Sequence, residues 1–192
     1  MNKIPLIDNA CKELLEYGVR SRREKGKDLV KRLLLRRKVP GEDVIFWPTG
    51  LLAAGLWHCR EELAQEAAKN PGSTEISDAA ARMGQIERSL AAYYGRWLKK
   101  DMPVMYVDDL LAGETLLGMY AEIKEGGAGQ TAGLSEGQLK TALDKMASCA
   151  AAHPVDGAGS FLYRPANGKT TVFVDGIGLA CPFLYRYGEI FD

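Results

Sequence analysis

Asp175 and Asp108 are the two residues of this chain whose type and setting suit proton transfer. Asp175 lies in Val172-Phe173-Val174-Asp175-Gly176-Ile177-Gly178, where a strand-like run gives way to an apolar helix expected over Leu179 to Tyr187. Asp108 lies in Val107-Asp108-Asp109-Leu110-Leu111, also where an extended piece meets a helix. A carboxylic acid that works near neutral pH needs its pKa raised, by burial or by a second carboxylate. Phe173, Ile177, Leu179 and Phe183 offer Asp175 the apolar setting, and Asp108 offers the second carboxylate. Aspartate is also a good helix N-cap, so on residue type alone both acids read equally well as caps.

Other chemistry finds less support. His58 and His153 are the only histidines, and neither has Cys, His or acid neighbours at ligand spacing, so no metal and no cofactor is expected. No GxSxG nucleophile motif occurs, and Cys181 before Pro182 reads as a small core residue. The glycine-rich stretch 126–133 lacks GxxxxGK[ST] and does not read as a phosphate cradle. Trp47 reads as a core residue or as the lining of a cleft.

The elements that must position these residues are helices. Leu6, Ile7, Ala10, Leu14, Leu15 and Val19 recur at helical spacing, and Asp8 or Asn9 caps a helix starting near residue 9. A second helix, capped by Thr49, runs to about Ala68, and its opening turns are apolar on nearly every side, which predicts burial all round. Ser77 begins a third, through about Lys99, striped by Ile86, Leu90, Tyr93, Tyr94 and Trp97. A fourth follows Asp108-Asp109, and Ser135 caps a fifth, from Glu136 to about Ala152. Asn167-Gly168 is a strong hairpin-turn signal and predicts a short β-hairpin near 160–174. The class is all-α, as stacked helical hairpins whose loop ends gather on one rim, in a single domain over residues 1–192.

Bulk properties narrow the partners. Lys+Arg and Asp+Glu number 25 each, so overall charge points to neither nucleic acid nor membrane. Arg20 to Lys38 is densely basic, with only Glu24 and Asp28 as acids. It reads as the solvated face of a helix backed by Leu29, Val30, Leu33 and Leu34, or as a contact for phosphate or a polyanionic saccharide. No interleaved aromatics of the nucleic-acid kind occur. Four scattered cysteines without CxxC spacing read as buried free thiols. No apolar run reaches a membrane span, so the expected location is the cytoplasm.

The closing stretch resembles the unsaturated glucuronyl and rhamnogalacturonyl hydrolases, glycoside hydrolase families 88 and 105. The residues that carry this are Gly159-Ser160-Phe161-Leu162-Tyr163-Arg164, Val172 to Leu179, Cys181-Pro182-Phe183-Leu184 and Arg186-Tyr187-Gly188. Val107 to Gly113, with glycine five residues after the acid, resembles the family's other acidic segment, and Trp47 with its helix is a weaker match. The resemblance implies a six-hairpin (α/α) barrel with Asp175 as general acid/base and Asp108 as its partner. It implies Trp47, Tyr163 and Arg164 as substrate contacts, Arg164 suiting a uronate carboxylate through a bidentate pair. The implied substrate is an unsaturated uronyl oligosaccharide. Five or six helices make about half of such a barrel, so the resemblance implies an N-terminal half that either self-associates across its open edge or is a gene product cut short. The competing expectation is a catalytically inactive helical module that persists as a homo-oligomer.

Overall fold

A computed structural model describes residues 4–17, 26–27, 30, 33–34, 47–69, 75–99, 106–126, 130–131, 133–163 and 171–191. The fold is all-α. Helix α1 spans Ile4–Glu16, α2 Trp47–Lys69, α3 Glu75–Leu98, α4 Ala112–Gly126, α5 Glu136–Ala151 and α6 Val174–Phe191. A 3-10 turn, Val107–Leu111, leads into α4, and two-residue strands, β1 (Gln130–Thr131) and β2 (Leu134–Ser135), pair antiparallel before α5. No described helix is long and apolar enough to cross a membrane.

Each helix buries one stripe. In α1, Ile7, Cys11 and Leu14 face inward at 3.6-residue spacing while Leu6 and Leu15 stay exposed. This helix starts five residues before the expected position, because Pro5 fits a first turn, where its missing N–H costs nothing. In α2 only Gly50, Ala53, Leu56 and Trp57 are buried, and Leu51 is 54% exposed, so the expected all-round burial is not found. The small residues there allow close approach on one side. A Cβ on Gly50 would lie 3.1 Å from the Ala112 Cβ, tighter than ordinary packing. The α3 stripe of Ile86, Leu90, Tyr93, Tyr94 and Trp97 is buried as its spacing predicts, and Tyr94 donates to the Ala112 carbonyl at 2.8 Å. Ser135 and Gln138 close a capping box at the start of α5.

One buried cluster draws on α1, α2, α3, the 3-10 turn, α4, α5 and α6. Helix α4 runs through its middle. Gly113 lies against the Phe183 ring of α6 and Gly118 against the Trp57 indole of α2, and a methyl at either position would run into those rings. Arg60 of α2 donates to Glu87 of α3 and Glu122 of α4, and Arg186 of α6 donates to Glu114 of α4 at 2.8 Å. Tyr187 of α6 donates to Asp144 of α5 at 2.8 Å.

The closing stretch departs from its expected form. Helix α6 begins at Val174, five residues before Leu179, and carries Pro182 in its interior. Gly176 and Gly178 therefore belong to its first turns. Their φ values are not positive, so nothing there breaks the helix. Across the expected hairpin, Tyr163 N–H donates to Thr171 O at 2.7 Å, and Val155 bridges Phe161, but no strand forms among the described residues of 160–174. The expected turn at 165–168 lies outside the described residues. So does most of the basic run. Of its apolar residues, Val30, Leu33 and Leu34 are helical and exposed, at 50, 70 and 76%, and so do not form the buried stripe expected behind the basic face. The expected buried thiols are also only partly found. Cys11 is buried, Cys59 is half-buried, and Cys149 and Cys181 are exposed, so Cys181 is no core residue.

Candidate active site

The starts of α2, α4 and α6 meet on one rim. Two adjacent acids of the 3-10 turn make the connections. Asp109, 1% exposed, accepts the Trp47 N–H on Oδ1 at 3.0 Å and the Tyr106 N–H on Oδ2 at 3.1 Å. Asp108, 8% exposed, turns towards α6, where its Oδ1 lies 3.6 Å from the position a Gly176 Cβ would occupy. Helix α6 lies along the 3-10 turn, and Gly176, having no side chain, lets the carboxylate come close to its backbone.

Of the residues singled out from sequence, three and the backbone of a fourth come together here. Asp108 is at the rim. Asp175 is the second residue of α6 and the immediate neighbour of Gly176, so its Cα stands about 3.8 Å from that of Gly176. The Asp175 side chain lies outside the described atoms, and Arg164 lies outside the described residues. Trp47 opens α2 with 40% of its surface exposed, which places it at the rim and not in the core. Tyr163 stacks on Tyr106 with ring centroids 6.3 Å apart and meets Phe173 edge-on at 4.4 Å.

Sequence reasoning passed over Asp109, Tyr106 and Phe173. The doubled acid was visible, but residue type does not say which of two neighbours turns inward. Phe173 was read only as apolar surroundings. It is 46% exposed and rests on Tyr163.

The surroundings are stiff. Thr49, in the first turn of α2, lies 2.7 Å from the Tyr93 hydroxyl. Burial, and then the charge of Asp109, hold the Tyr17 phenol above its ordinary pKa. Burial also raises that of Tyr93, the Thr49 hydrogen bond opposing it, so both phenols stay protonated at neutral pH. On the other side, Asp156 accepts the N–H groups of Ala158 and Ser160, Gly159 takes a left-handed φ of 85°, and a His153 ring nitrogen lies 2.8 Å from the Leu162 carbonyl. His153 thus braces the segment that delivers Tyr163. His58 pairs with Glu61 on the outer surface of α2.

The rim therefore offers one buried carboxylate, the helical turn that bears a second acid, and two half-exposed rings. That set suits a polar, ring-shaped ligand that undergoes proton transfer. Family models, curated proteins and solved structures give no match to this chain.

Proposed function

We propose that the chain acts on 4,5-unsaturated uronyl oligosaccharides derived from pectin or rhamnogalacturonan, in the cytoplasm, removing the unsaturated sugar by hydrating its vinyl ether. The observation that carries this reading is the approach of Asp108 Oδ1 to Gly176, which brings the 3-10 acid against the turn bearing Asp175. The common start of α2, α4 and α6 also supports an (α/α) hairpin arrangement, since alternate helices rise from one rim. In this mechanism Asp175 protonates C4 and leaves an oxocarbenium ion at C5. The same carboxylate then takes a proton from water as that water adds to C5. The resulting hemiketal opens and releases the aglycone, for a net addition of one water. The bond broken is not attacked at the anomeric carbon, so the carboxylate-separation rule for retaining and inverting glycosidases does not apply. Asp108 hydrogen-bonds the substrate and tunes Asp175, Arg164 pairs with the uronate, and Trp47 and Tyr163 face the sugar rings.

The test is direct. Lyase-generated pectin disaccharides absorb near the ultraviolet edge, and hydration of the double bond abolishes that absorbance. A wild-type protein that leaves the absorbance intact, or an Asp175→Asn variant as active as wild type, ends this reading.

A second reading is favoured by a separate observation. Val174, Ile177, Cys181 and Tyr185 line one face of α6 and are all exposed, Val174 by 81%, Ile177 by 58% and Tyr185 by 68%. In this reading the chain is a catalytically silent helical module that associates with a second copy through that face.

A further inference from the structure

The paired acids at the 3-10 turn do different work: Asp108 turns towards α6, and Asp109 towards the backbones of Trp47 and Tyr106. We infer that Asp109 is the positioning residue of the rim: its two carboxylate oxygens hold the backbones of Trp47 and Tyr106 and so fix the exposed Trp47 ring relative to the Asp108 carboxylate. The consequence for turnover rests on the proposed function, whereas the positioning itself does not.

The geometry argues against a cap alone. The capping box of the 3-10 turn needs only one acceptor from Asp109, its third residue, and the bond from Tyr106 N–H to Oδ2 supplies it. The other oxygen reaches Trp47, 62 positions earlier in the chain. Nor does core stability call for the second bond. Trp47 is 40% exposed, so tying its backbone down adds little buried surface but fixes where an exposed ring stands. The choice of a carboxylate is also expensive. At 1% exposure its desolvation costs several kcal/mol. Two charge-assisted N–H bonds and the amino-terminal ends of α2 and the 3-10 turn offset that cost. An asparagine would avoid the charge but could accept only one of the two N–H groups well. Tyr17 of α1 and Tyr93 of α3 also face this carboxylate, and both remain protonated phenols at neutral pH, while Asp108 is its neighbour in the chain.

Two-dimensional NMR of the wild-type protein reads the clamp without any variant. On acidification the amide protons of Trp47 and Tyr106 should shift upfield together with one midpoint, because both report the same carboxylate. In Asp109→Asn that shared response should vanish. Trp57 and Trp97 are buried, at 4 and 5% exposure, so acrylamide quenching reads mainly Trp47 and should rise in the variant. With the unsaturated disaccharide, Asp109→Asn should raise KM about tenfold, equivalent to ~1.4 kcal/mol, and move kcat by much less. Independent amide shifts in the wild type, or quenching and KM unchanged in a folded variant, would overturn the inference. If Asp109→Asn does not fold, the wild-type titration still decides it. A wild type with shared amide shifts but no turnover would remove the proposed reaction and leave the clamp standing.

Discussion

At the residue scale, the consequence of the rim geometry is that Asp108, Asp109 and Asp175 answer substitution differently. Asp175→Asn should lower turnover of the unsaturated disaccharide by roughly 10²–10⁴-fold, the usual range for a lost general acid, with the melting temperature nearly unchanged. Gly176→Ala probes the approach from the other side. An added Cβ would meet Asp108 Oδ1 at 3.6 Å and Val107 Cγ1 at 3.8 Å, which is ordinary contact. Because alanine is the better helix former, the variant should be as stable as wild type or up to ~1 kcal/mol more stable by chemical denaturation. If the carboxylate must move to bind substrate, its KM should rise all the same. The meeting of the two acidic segments was legible in the chain, since Asp108 and Asp175 each stand where a helix begins. The division of labour between Asp108 and Asp109 was not. It depends on which oxygen faces Trp47, a contact across 62 residues that no local pattern encodes.

At the element scale, α4 is the helix whose glycines matter most. Gly118→Ala pushes a methyl into the buried Trp57 indole, which cannot swing away, so it should destabilise by about 1–3 kcal/mol. Gly55→Ala, with nothing within 4 Å on exposed α2 surface, should instead stabilise by ~0.5–1 kcal/mol. Urea unfolding of the pair gives opposite signs if α4 is keyed as described. The junction of α5 and α6 carries a pH signature. Hydrogen bonds from Lys140 and then Tyr187 hold Asp144 below its ordinary value of 3.8, against its desolvation. A depressed carboxylate stabilises the fold above its unfolded pKa, and that contribution disappears as pH falls through the folded value. The melting-temperature gap between wild type and Asp144→Asn should therefore be present near neutrality and shrink as the pH falls below the ordinary aspartate value. Helix boundaries were legible where a cap is chemically explicit, as at Ser135. They failed at α6, where the strand-like run through Val174 and the glycines Gly176 and Gly178 placed the start at Leu179, whereas the helix begins at Val174.

At the scale of the whole molecule, the periodicity of apolar residues was enough to expect an all-α fold, and the stripes of α1 and α3 are buried as that pattern implies, whereas α2 is buried on one side only. Which faces remain open was not legible. The stripe of Val174, Ile177, Cys181 and Tyr185 has the composition of a buried surface, and only the packing of Phe183 and Ala180 on the opposite side of α6 shows that it points outward. If a second copy covers this face, light scattering should give a dimer that Ile177→Ser with Tyr185→Ser converts to monomer. Mild oxidation should then cross-link the wild type through Cys181 and leave Cys181→Ser uncoupled. A monomer at high concentration would remove the second reading.

Pro182 gives α6 a mechanical character of its own. Its nitrogen carries no hydrogen, so the rung that would join residue 182 to the Gly178 carbonyl is missing by chemistry. Below that gap, Phe183, Tyr187 and Phe191 are locked in place, with Phe191 against Tyr120 at 5.0 Å and Tyr187 at 4.7 Å. Above it, the two turns that bear Asp175 pack along the 3-10 turn, and Ala180 joins the core. The helix is thus anchored through its second half and lacks one backbone hydrogen bond between that half and the turns that bear Asp175. If the proposed substrate binds beside Asp108, it meets α6 in the turns just ahead of that missing rung.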